Sequence, residues 1–271
     1  MELEQSLDRV KAQGLGLGAI SYDSVGVLKA FAEREHITYP LLSDPDSKVI
    51  RSYGILNETV DQSTPFFGIP YPGIYVVDAR GVVTAKYFED DYRVRDTAAS
   101  ILLRQFGLEP ISRAPVQAKH LTLATAGGEE PARPQQRITL SVDISLPDRV
   151  HVYAPGVTGY IPISLSLKPS PAFQADPVWY PQSRSMRLEV IHETVPVYEG
   201  HFRMLATITL GGPQALQPLL DAEHNLPIEG EFRYQACDDH ECFVPETVPL
   251  KWAIRVLPFD RTRAPESLRR K

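Results

Sequence analysis

The chain has 271 residues, of which 43% are hydrophobic and 23% are charged, and its formal net charge is −6. A single hydrophobic core seldom grows far beyond about 200 residues, so this length predicts two domains. The acidic balance and the lack of a basic run argue against nucleic-acid binding. The sequence has no apolar stretch of the ~18 residues that a membrane-spanning helix needs. Its acidic start is also unlike a secretory signal.

The N-terminal part has patterns typical of alternating helices and strands. Apolar residues at helical spacing predict helices over residues 2–13, 25–34, 44–54 and 93–106. Apolar runs predict buried strands over residues 15–22 and 73–78, and the second strand pairs with 82–88 in a hairpin. The order of these elements indicates an α/β domain over residues 1–109.

The C-terminal part has a different pattern. Residues 110–115 contain prolines without periodicity and are predicted to be a linker. Beyond them, apolar and polar residues alternate in many short runs that turn residues separate, which predicts an antiparallel β-sandwich over residues 116–259. Residues 260–271 form a charged tail that we expect to be loose.

The cysteines of the chain are Cys237 and Cys242, and the four residues Asp-Asp-His-Glu lie between them. Predicted strands flank the pair on both sides, which places it at the tip or the shoulder of a hairpin. Random placement seldom brings the only two cysteines of a long chain so close together, so the pair needs an explanation.

Three interpretations of the pair compete. A structural disulfide that closes so short a loop would stabilise the fold by only about 2 kcal/mol in the loop-entropy model. A metal site with His240 would have two sulfurs and one imidazole, which do not complete a tetrahedral shell. On its residues alone, His240 is better explained as a solvated loop residue. We favour a redox-active disulfide, because short, exposed bridges are the reducible ones.

Three carboxylates lie inside the loop, at Asp238, Asp239 and Glu241. Their negative charge disfavours a thiolate at either cysteine, and a protonated His240 would offset only part of it. We therefore expect a pair that attacks poorly and that is itself attacked by a thiolate of a partner protein.

The DsbD thiol:disulfide interchange proteins have an N-terminal domain whose active disulfide lies in a segment Tyr-Gln-x-Cys … Cys-Tyr-Pro-Pro-Glu-Thr. Residues 234–250, YQACDDHECFVPETVPL, resemble that segment, and the resemblance covers roughly residues 115–258. It implies an immunoglobulin-like sandwich in which Cys237 and Cys242 exchange electrons with a thioredoxin-like protein or a membrane reductase. By the same match, Cys242 would form the mixed disulfide and Cys237 would resolve it.

The resemblance also implies an aromatic cap over the disulfide. Trp179 and Tyr180 fall where the family has its cap loop, and Tyr153 falls near a family tyrosine that lines the bridge. The alternative for all three is a plain position in the core of the sandwich. The chain departs from the family in having four residues between its cysteines, which bears on strain and reduction potential, and in having Val244 where the family has a proline.

Residues 2–107 resemble a peroxiredoxin or redoxin domain, a relative of thioredoxin. The matching pieces are residues 14–23 (GLGLGAISYD), 39–44 (YPLLSD) and 71–81 (YPGIYVVDARG). The resemblance implies that Pro72 is the cis-proline that lies beside the active cysteine in that family. The peroxidatic cysteine of the family would precede the first helix, and no cysteine precedes Cys237, so the chain as written is not a peroxidase.

The strands that carry the family's active loop are also missing from the sequence. One of them lies between the strands predicted at 15–22 and 73–78, which would therefore stand apart, close up or recruit another segment. We accordingly expect an incomplete α/β thioredoxin-like domain, from a longer gene product or a degenerate one, followed by an all-β immunoglobulin-like sandwich.

These observations favour a thiol–disulfide oxidoreductase module that exchanges electrons with a redox partner protein through Cys237 and Cys242. One alternative is a peroxiredoxin-like antioxidant whose catalytic cysteine is missing from this chain, and another is a non-catalytic scaffold with a structural disulfide. We expect no cofactor, no metal and no nucleic-acid partner. A disulfide favours the periplasm, with the cytoplasm as the alternative because we find no export signal.

Overall fold

A computed structural model describes residues 2–89, 91, 93–107, 114–188, 192–259, 262 and 265–268. The chain forms two compact units, one of residues 1–98 with 259–271 and the other of residues 99–258. The predicted linker and the predicted C-terminal tail lie largely outside the described residues. The domain boundaries that the sequence suggests stay a prediction.

The first unit begins with two short helices, α1 (Glu2–Gln5) and α2 (Leu7–Ala12), where the sequence predicted one helix. Strands β1 (Ala19–Ser21) and β2 (Leu41–Ser43) pair in parallel and are connected through helix α3 (Val25–Glu35). The helix and β1 were predicted, but β2 was not, because its three residues lie directly before the polar start of the next helix and form too short an apolar run.

The rest of the first unit contains helix α4 (Lys48–Ser52), strand β5 (Arg95–Asp96) and a 3₁₀ turn at Glu266–Leu268. It also contains the predicted hairpin, in which β3 (Gly73–Val77) pairs in antiparallel fashion with β4 (Val83–Phe88).

Polar side chains set the starts of the helices in this unit. The hydroxyl of Ser24 accepts a hydrogen bond from the Val27 amide at 3.4 Å at the start of α3. The carboxylate of Asp44 accepts the amides of Lys48 and Ile50, both at 2.9 Å, at the start of α4. Side-chain oxygens stabilise helix starts by satisfying amides that have no partner within the helix.

The two strand pairs of the first unit, β1–β2 and β3–β4, are separate sheets within the described residues. The strand predicted over 15–22 is confined to Ala19–Ser21, because β2 offers only three pairing residues and the glycines before β1 favour irregular backbone. Several apolar side chains remain exposed, among them Leu42 at 56%. The first unit therefore has a thin core.

Helix α5 (Ala98–Phe106) leads into the second unit and is shorter than predicted, but it buries Ile101 and Leu102 as the sequence indicates. Within the described part of the chain, none of the helices has both the length and the apolar character needed to cross a membrane.

The second unit is built mainly from strands. In chain order these are β6 (Val116–Ala118), β7 (Leu121–Ala126), β8 (Gln136–Ser145), β9 (His151–Tyr153), β10 (Ser164–Leu167), β11 (Phe173–Ala175), β12 (Arg184–Leu188), β13 (Glu193–Glu199), β14 (His201–Leu210), β15 (Asn225–Tyr234), β16 (Ala236–Cys237) and β17 (Glu246–Arg255). A short helix α6 (Pro213–Leu216) and a 3₁₀ turn (Gln217–Leu219) stand where one short helical turn was predicted.

These strands form three antiparallel sheets. The first has the order β11-β14-β8-β7-β6, the second β10-β15-β17, and the third, which we call the site sheet, β12-β13-β9-β16. One core lies between them, and its largest buried side chains include Trp252, Tyr234 and Phe232. Trp252 Nε1 donates to the Ala126 carbonyl at 3.2 Å, so the indole is buried without losing its hydrogen bond.

Candidate functional site

The site sheet buries both of its faces, but against different partners. Val152, Tyr198 and Ala236 belong to the main core. Tyr153 and Cys237 belong instead to a second, smaller cluster. Successive side chains of a strand point to opposite faces, so Cys237 lies on the face of the site sheet that is turned away from the main core.

Cys237 and Cys242 form a disulfide with a sulfur–sulfur distance of 2.04 Å and a Cα–Cα distance of 4.0 Å. The two residues also form an isolated antiparallel bridge, so they face one another at the base of a tight loop. Cys237 is only 1% exposed, whereas Cys242 is exposed. Cys242 is therefore the cysteine of the pair that is open to solvent, and Cys237 is enclosed.

Asp238 organises the loop between the cysteines. Its Oδ1 accepts the amides of His240 at 2.7 Å and Glu241 at 2.9 Å, and its own amide donates to the Glu241 carbonyl at 2.9 Å. The backbone hydrogen bonds from Glu241 and His240 lower the pKa of the Asp238 carboxyl. The carboxylate thus stays ionised and holds the turn.

The chain that leaves the loop is anchored at Phe243. Its amide donates to the Ala236 carbonyl at 2.8 Å, and its own carbonyl accepts from Gln235 Nε2 at 2.9 Å. The ring of His120 stacks on the Phe243 ring, with centroids 3.7 Å apart. These contacts fix both ends of the loop without using the disulfide.

Two of the loop's charged residues point to solvent, and one carboxylate is neutralised. Asp239 accepts from Arg149 Nε at 2.6 Å. His240 and Glu241 are exposed, and this exposure agrees with the interpretation of His240 as a solvated residue. The net charge around the sulfurs remains negative.

Tyr153 is the predicted aromatic residue that the structure places beside the disulfide. Its hydroxyl oxygen lies 3.8 Å from Cys242 Sγ, and the residue is 2% exposed. Burial, and secondarily the charge of Glu193, raise the pKa of Tyr153, so the phenol keeps its proton and can donate to sulfur.

Tyr160 supports Tyr153 from the other side. The two rings stack with centroids 4.3 Å apart, and the Tyr160 hydroxyl donates to Glu193 Oε2 at 2.9 Å. This hydrogen bond raises the pKa of Tyr160 to about 12. The Tyr160 hydroxyl therefore keeps its proton and donates it in the hydrogen bond to Glu193.

Trp179 and Tyr180 have their described contacts elsewhere. Trp179 is 54% exposed and exchanges backbone hydrogen bonds with Leu205 at 2.8 and 3.0 Å. The Tyr180 hydroxyl accepts the Leu165 amide at 3.1 Å, and its ring packs against the main core. A cap formed by these two residues stays a prediction.

The cis-proline expected at Pro72 is not found, since the described residues contain no cis peptide bond. A bond before proline is trans unless its surroundings favour the cis form. Pro72 is only partly buried, and the active-site cysteine against which the family places this proline is missing from the sequence.

His151 is a residue that sequence reasoning missed. It is 4% exposed and lies directly opposite Cys237 in the pairing of β16 with β9. The alternating valines Val150 and Val152 predict a strand here, and His151 falls on the face that this pattern leaves polar. The sequence does contain a sign of its position. His151 and Tyr153 are two residues apart, so they lie on the same face of a strand.

Comparisons with known proteins agree with both resemblances. Residues 1–86 match the model of the AhpC/TSA family. Residues 124–251 match the model described as "Thiol:disulfide interchange protein DsbD, N-terminal". The chain thus joins a thioredoxin-like N-terminal region to an all-β domain of the DsbD N-terminal kind, and the predicted fold class is confirmed.

Individual relatives match the N-terminal part. Peroxiredoxin Bcp of Escherichia coli K12 and a putative peroxiredoxin bcp of Shigella flexneri are each 32% identical over 95 residues, which are 34% of this chain and 56% of the relative. The chain thus spans about half the length of these relatives. Among solved structures, the N-terminal periplasmic domain of ScsB from Proteus mirabilis is similar at a TM-score of 0.37 and 7% identity, over 54% of this chain and 52% of that one.

Proposed function

We propose that this chain is a thiol–disulfide oxidoreductase module whose Cys237–Cys242 pair exchanges electrons with a partner protein. The observation that carries this proposal is the unequal exposure of the two cysteines. Cys242 is exposed and Cys237 is 1% exposed. An exchange protein needs one sulfur that a partner can reach and a second that can displace the partner afterwards.

The surroundings of Cys242 support contact with a partner. Val244 follows two residues later and is 80% exposed, and such an exposed apolar side chain offers contact area beside the reactive sulfur. The partner is a redox protein, of the thioredoxin-like kind or the domain of a membrane reductase. We place the exchange in the periplasm, because disulfides persist in oxidising compartments.

A matched pair of variants tests the roles of the two cysteines. In Cys237→Ser, the exposed Cys242 thiol forms a mixed disulfide with an oxidised partner and cannot release it. In Cys242→Ser, the remaining thiol is buried, so mixed disulfides form at least tenfold more slowly, since access limits exchange. Incubation with a thioredoxin variant that lacks its second active-site cysteine and carries a thionitrobenzoate disulfide on the first, followed by gel analysis under non-reducing conditions, measures both. Equal trapping by the two variants contradicts the assigned roles.

The reduction potential of the wild-type pair separates exchange from a structural role. A potential of about −180 to −270 mV, measured in a glutathione or dithiothreitol buffer, is the range of known exchange proteins. A potential well below about −300 mV would identify a structural disulfide on a non-catalytic scaffold. The peroxiredoxin-like alternative requires a cysteine that the first unit does not contain.

A further inference from the structure

Three side chains form a row across the site sheet on the face that carries the disulfide. Cys237 lies opposite His151 in the pairing of β16 with β9, and His151 lies opposite Glu199 in the pairing of β9 with β13. Residues directly opposite in antiparallel strands point to the same face, with Cβ atoms about 4.5–5.5 Å apart. His151 is therefore the middle residue of a row that has the buried cysteine on one side and Glu199 on the other.

The imidazole of His151 is buried but incompletely hydrogen-bonded. His151 is 4% exposed, and its Nε2 has no hydrogen-bond partner among the residues that the structure describes. Its ring packs edge-on against Tyr153 at a centroid distance of 5.4 Å. Buried polar atoms are almost always paired, and an unpaired one in a reactive site calls for a chemical explanation.

Burial keeps this imidazole neutral. Burial lowers the pKa of His151, and the carboxylates of Glu199, Asp239 and Asp238 only partly counteract this effect. The ordinary pKa of histidine is about 6.5, so above that pH the ring carries no charge. A neutral imidazole with an unpaired nitrogen is a base.

The charges around His151 come from several elements. Glu199 of β13 is paired with Arg184 of β12 at 3.2 Å. Asp239 of the loop is paired with Arg149, which precedes β9. Asp238 of the loop acts on the ring through its charge, and hydrogen bonds from Glu241 and His240 keep it ionised. The pairing arginines reduce the field of two carboxylates but leave the ring in a negative environment that stabilises an imidazolium once it forms.

We infer that His151 accepts the proton of the Cys237 thiol when Cys237 resolves a mixed disulfide held at Cys242, and that Glu199 stabilises the imidazolium. This inference rests on the proposed function. Cys237 is 1% exposed, so bulk water and buffer bases reach its thiol poorly. The loop carboxylates also disfavour the thiolate that must attack. A base on the same face of the sheet takes the proton where solvent has little access, and it forms the thiolate that the carboxylates disfavour.

The chemical step balances within the exchange. The Nε2 lone pair takes the thiol proton, and the Cys237 thiolate attacks Cys242 Sγ. The Cys237–Cys242 bond forms while the bond from Cys242 to the partner's sulfur breaks, and the partner leaves as a thiolate. The imidazolium then releases its proton to solvent. Over both exchanges, two electrons pass from the cysteine pair to the partner's disulfide.

Reaction of the reduced full-length protein with dithiobis(nitrobenzoate) tests the inference. Attack by Cys242 releases one thionitrobenzoate, and resolution by Cys237 releases a second, so stopped-flow absorbance follows the two steps separately. In His151→Gln, we expect the first release to keep its rate and the second to slow at least tenfold near pH 7, since a general base typically contributes ~10²-fold or more. The rates should converge above about pH 9, where hydroxide deprotonates the thiol directly, its ordinary pKa being about 8.5.

His240→Gln is the matched control, because it removes an exposed histidine from the loop itself. It should leave both releases unchanged. A second release that keeps its wild-type rate and pH profile in His151→Gln overturns the inference while the proposed function stands. A wild-type protein that releases no thionitrobenzoate overturns the proposed function and the inference with it.

Glu199→Gln provides a second route if His151→Gln does not fold. The Glu199 carboxylate raises the pKa of His151, so its removal should move the acid limb of the second release to lower pH. The first release should keep its pH profile. An acid limb that does not move shows that the imidazole takes no part in the step.

Discussion

At the scale of single residues, the disulfide has two very different sulfurs. Cys237 lies inside a cluster of buried side chains. Cys242 is exposed, and its sulfur contacts the hydroxyl of Tyr153. The protein environment therefore acts on each sulfur through a different neighbour. Tyr153 contacts the exposed sulfur, and His151 lies opposite the buried cysteine.

Tyr153→Phe should weaken Cys242 as a nucleophile. The hydroxyl, 3.8 Å from Cys242 Sγ, can donate to the thiolate and so lower the pKa of the thiol. One hydrogen bond contributes about 1 kcal/mol, so its loss should raise that pKa by up to about one unit. The pH dependence of the alkylation rate of Cys242 in the Cys237→Ser background measures the change.

Tyr160→Phe is the control for this prediction. The Tyr160 hydroxyl donates to Glu193 and not to sulfur, while its ring keeps the stack on Tyr153. An equal pKa change in Tyr153→Phe and Tyr160→Phe would show that the phenol of Tyr153 does not act on the sulfur.

Most residues around the disulfide were predicted from the sequence, but His151 was not. The spacing of Cys237 and Cys242 predicted a bridge, and the match to the DsbD segment brought Tyr153 to it. His151 was missed, because it meets Cys237 only through the pairing of β9 with β16. The paired residues Val152 and Ala236 of these strands are 84 positions apart in the sequence. Local periodicity does not contain that register.

At the scale of elements, the turn between the cysteines depends on Asp238. Its carboxylate accepts two amides, and neither hydrogen bond involves a sulfur. We therefore expect the loop to hold Cys237 and Cys242 near each other after reduction as well.

Asp238→Ala should make the disulfide easier to reduce, because a loop without these hydrogen bonds no longer holds the sulfurs together. We expect a reduction potential higher by on the order of 10 to 30 mV, measured in a redox buffer. Asp238→Asn loses the same charge but keeps an accepting oxygen, so its potential should stay close to that of the wild type. If both variants shift equally, the charge of Asp238 matters and its hydrogen bonds do not.

The pKa of Asp238 gives this effect a pH dependence. Because the folded pKa is lowered, the contribution of the carboxylate is present above the ordinary value of about 3.9 and is lost as the pH falls through the lowered value. The loop should therefore be fully ordered across the neutral range.

The type of most elements was predictable, whereas their ends were not. The alternation that predicted a sandwich is present in β8 and β14, and β8 extends beyond its apolar pattern at both ends. The first strand and the closing helix α5 are shorter than their patterns. Their ends depend on pairing partners and glycines that lie outside the local pattern.

At the scale of the whole molecule, the two units differ in how well their strands are supported. β8 is paired on both sides, by β14 and β7, and its inward residues are at most 5% exposed. β1 has three residues and one described partner, β2, and its Ile20 is 38% exposed. β1 and β3 lie in separate sheets, which is one of the three outcomes that the sequence left open for strands without the family's central strand.

Amide hydrogen exchange should reveal the difference. We expect amides of β8 and β14 to exchange on the order of 100-fold more slowly than those of β1 and β2, because exposed, thinly packed strands open locally. Mass spectrometry of peptic fragments measures both in one sample. Equal protection of the two sets would show that the first unit is as stable as the sandwich.

The anchored loop has a consequence for reaction rates. The hydrogen bonds of Asp238 and Phe243 involve neither sulfur, so we expect them to remain when the disulfide opens and to keep the thiol of Cys237 beside Cys242 at a high effective concentration. The Cys237 thiol should therefore attack any adduct on Cys242, including one with a small thiol such as glutathione, before a second thiol molecule arrives from solution. The wild-type chain should therefore pass electrons in pairs and accumulate almost no stable adduct.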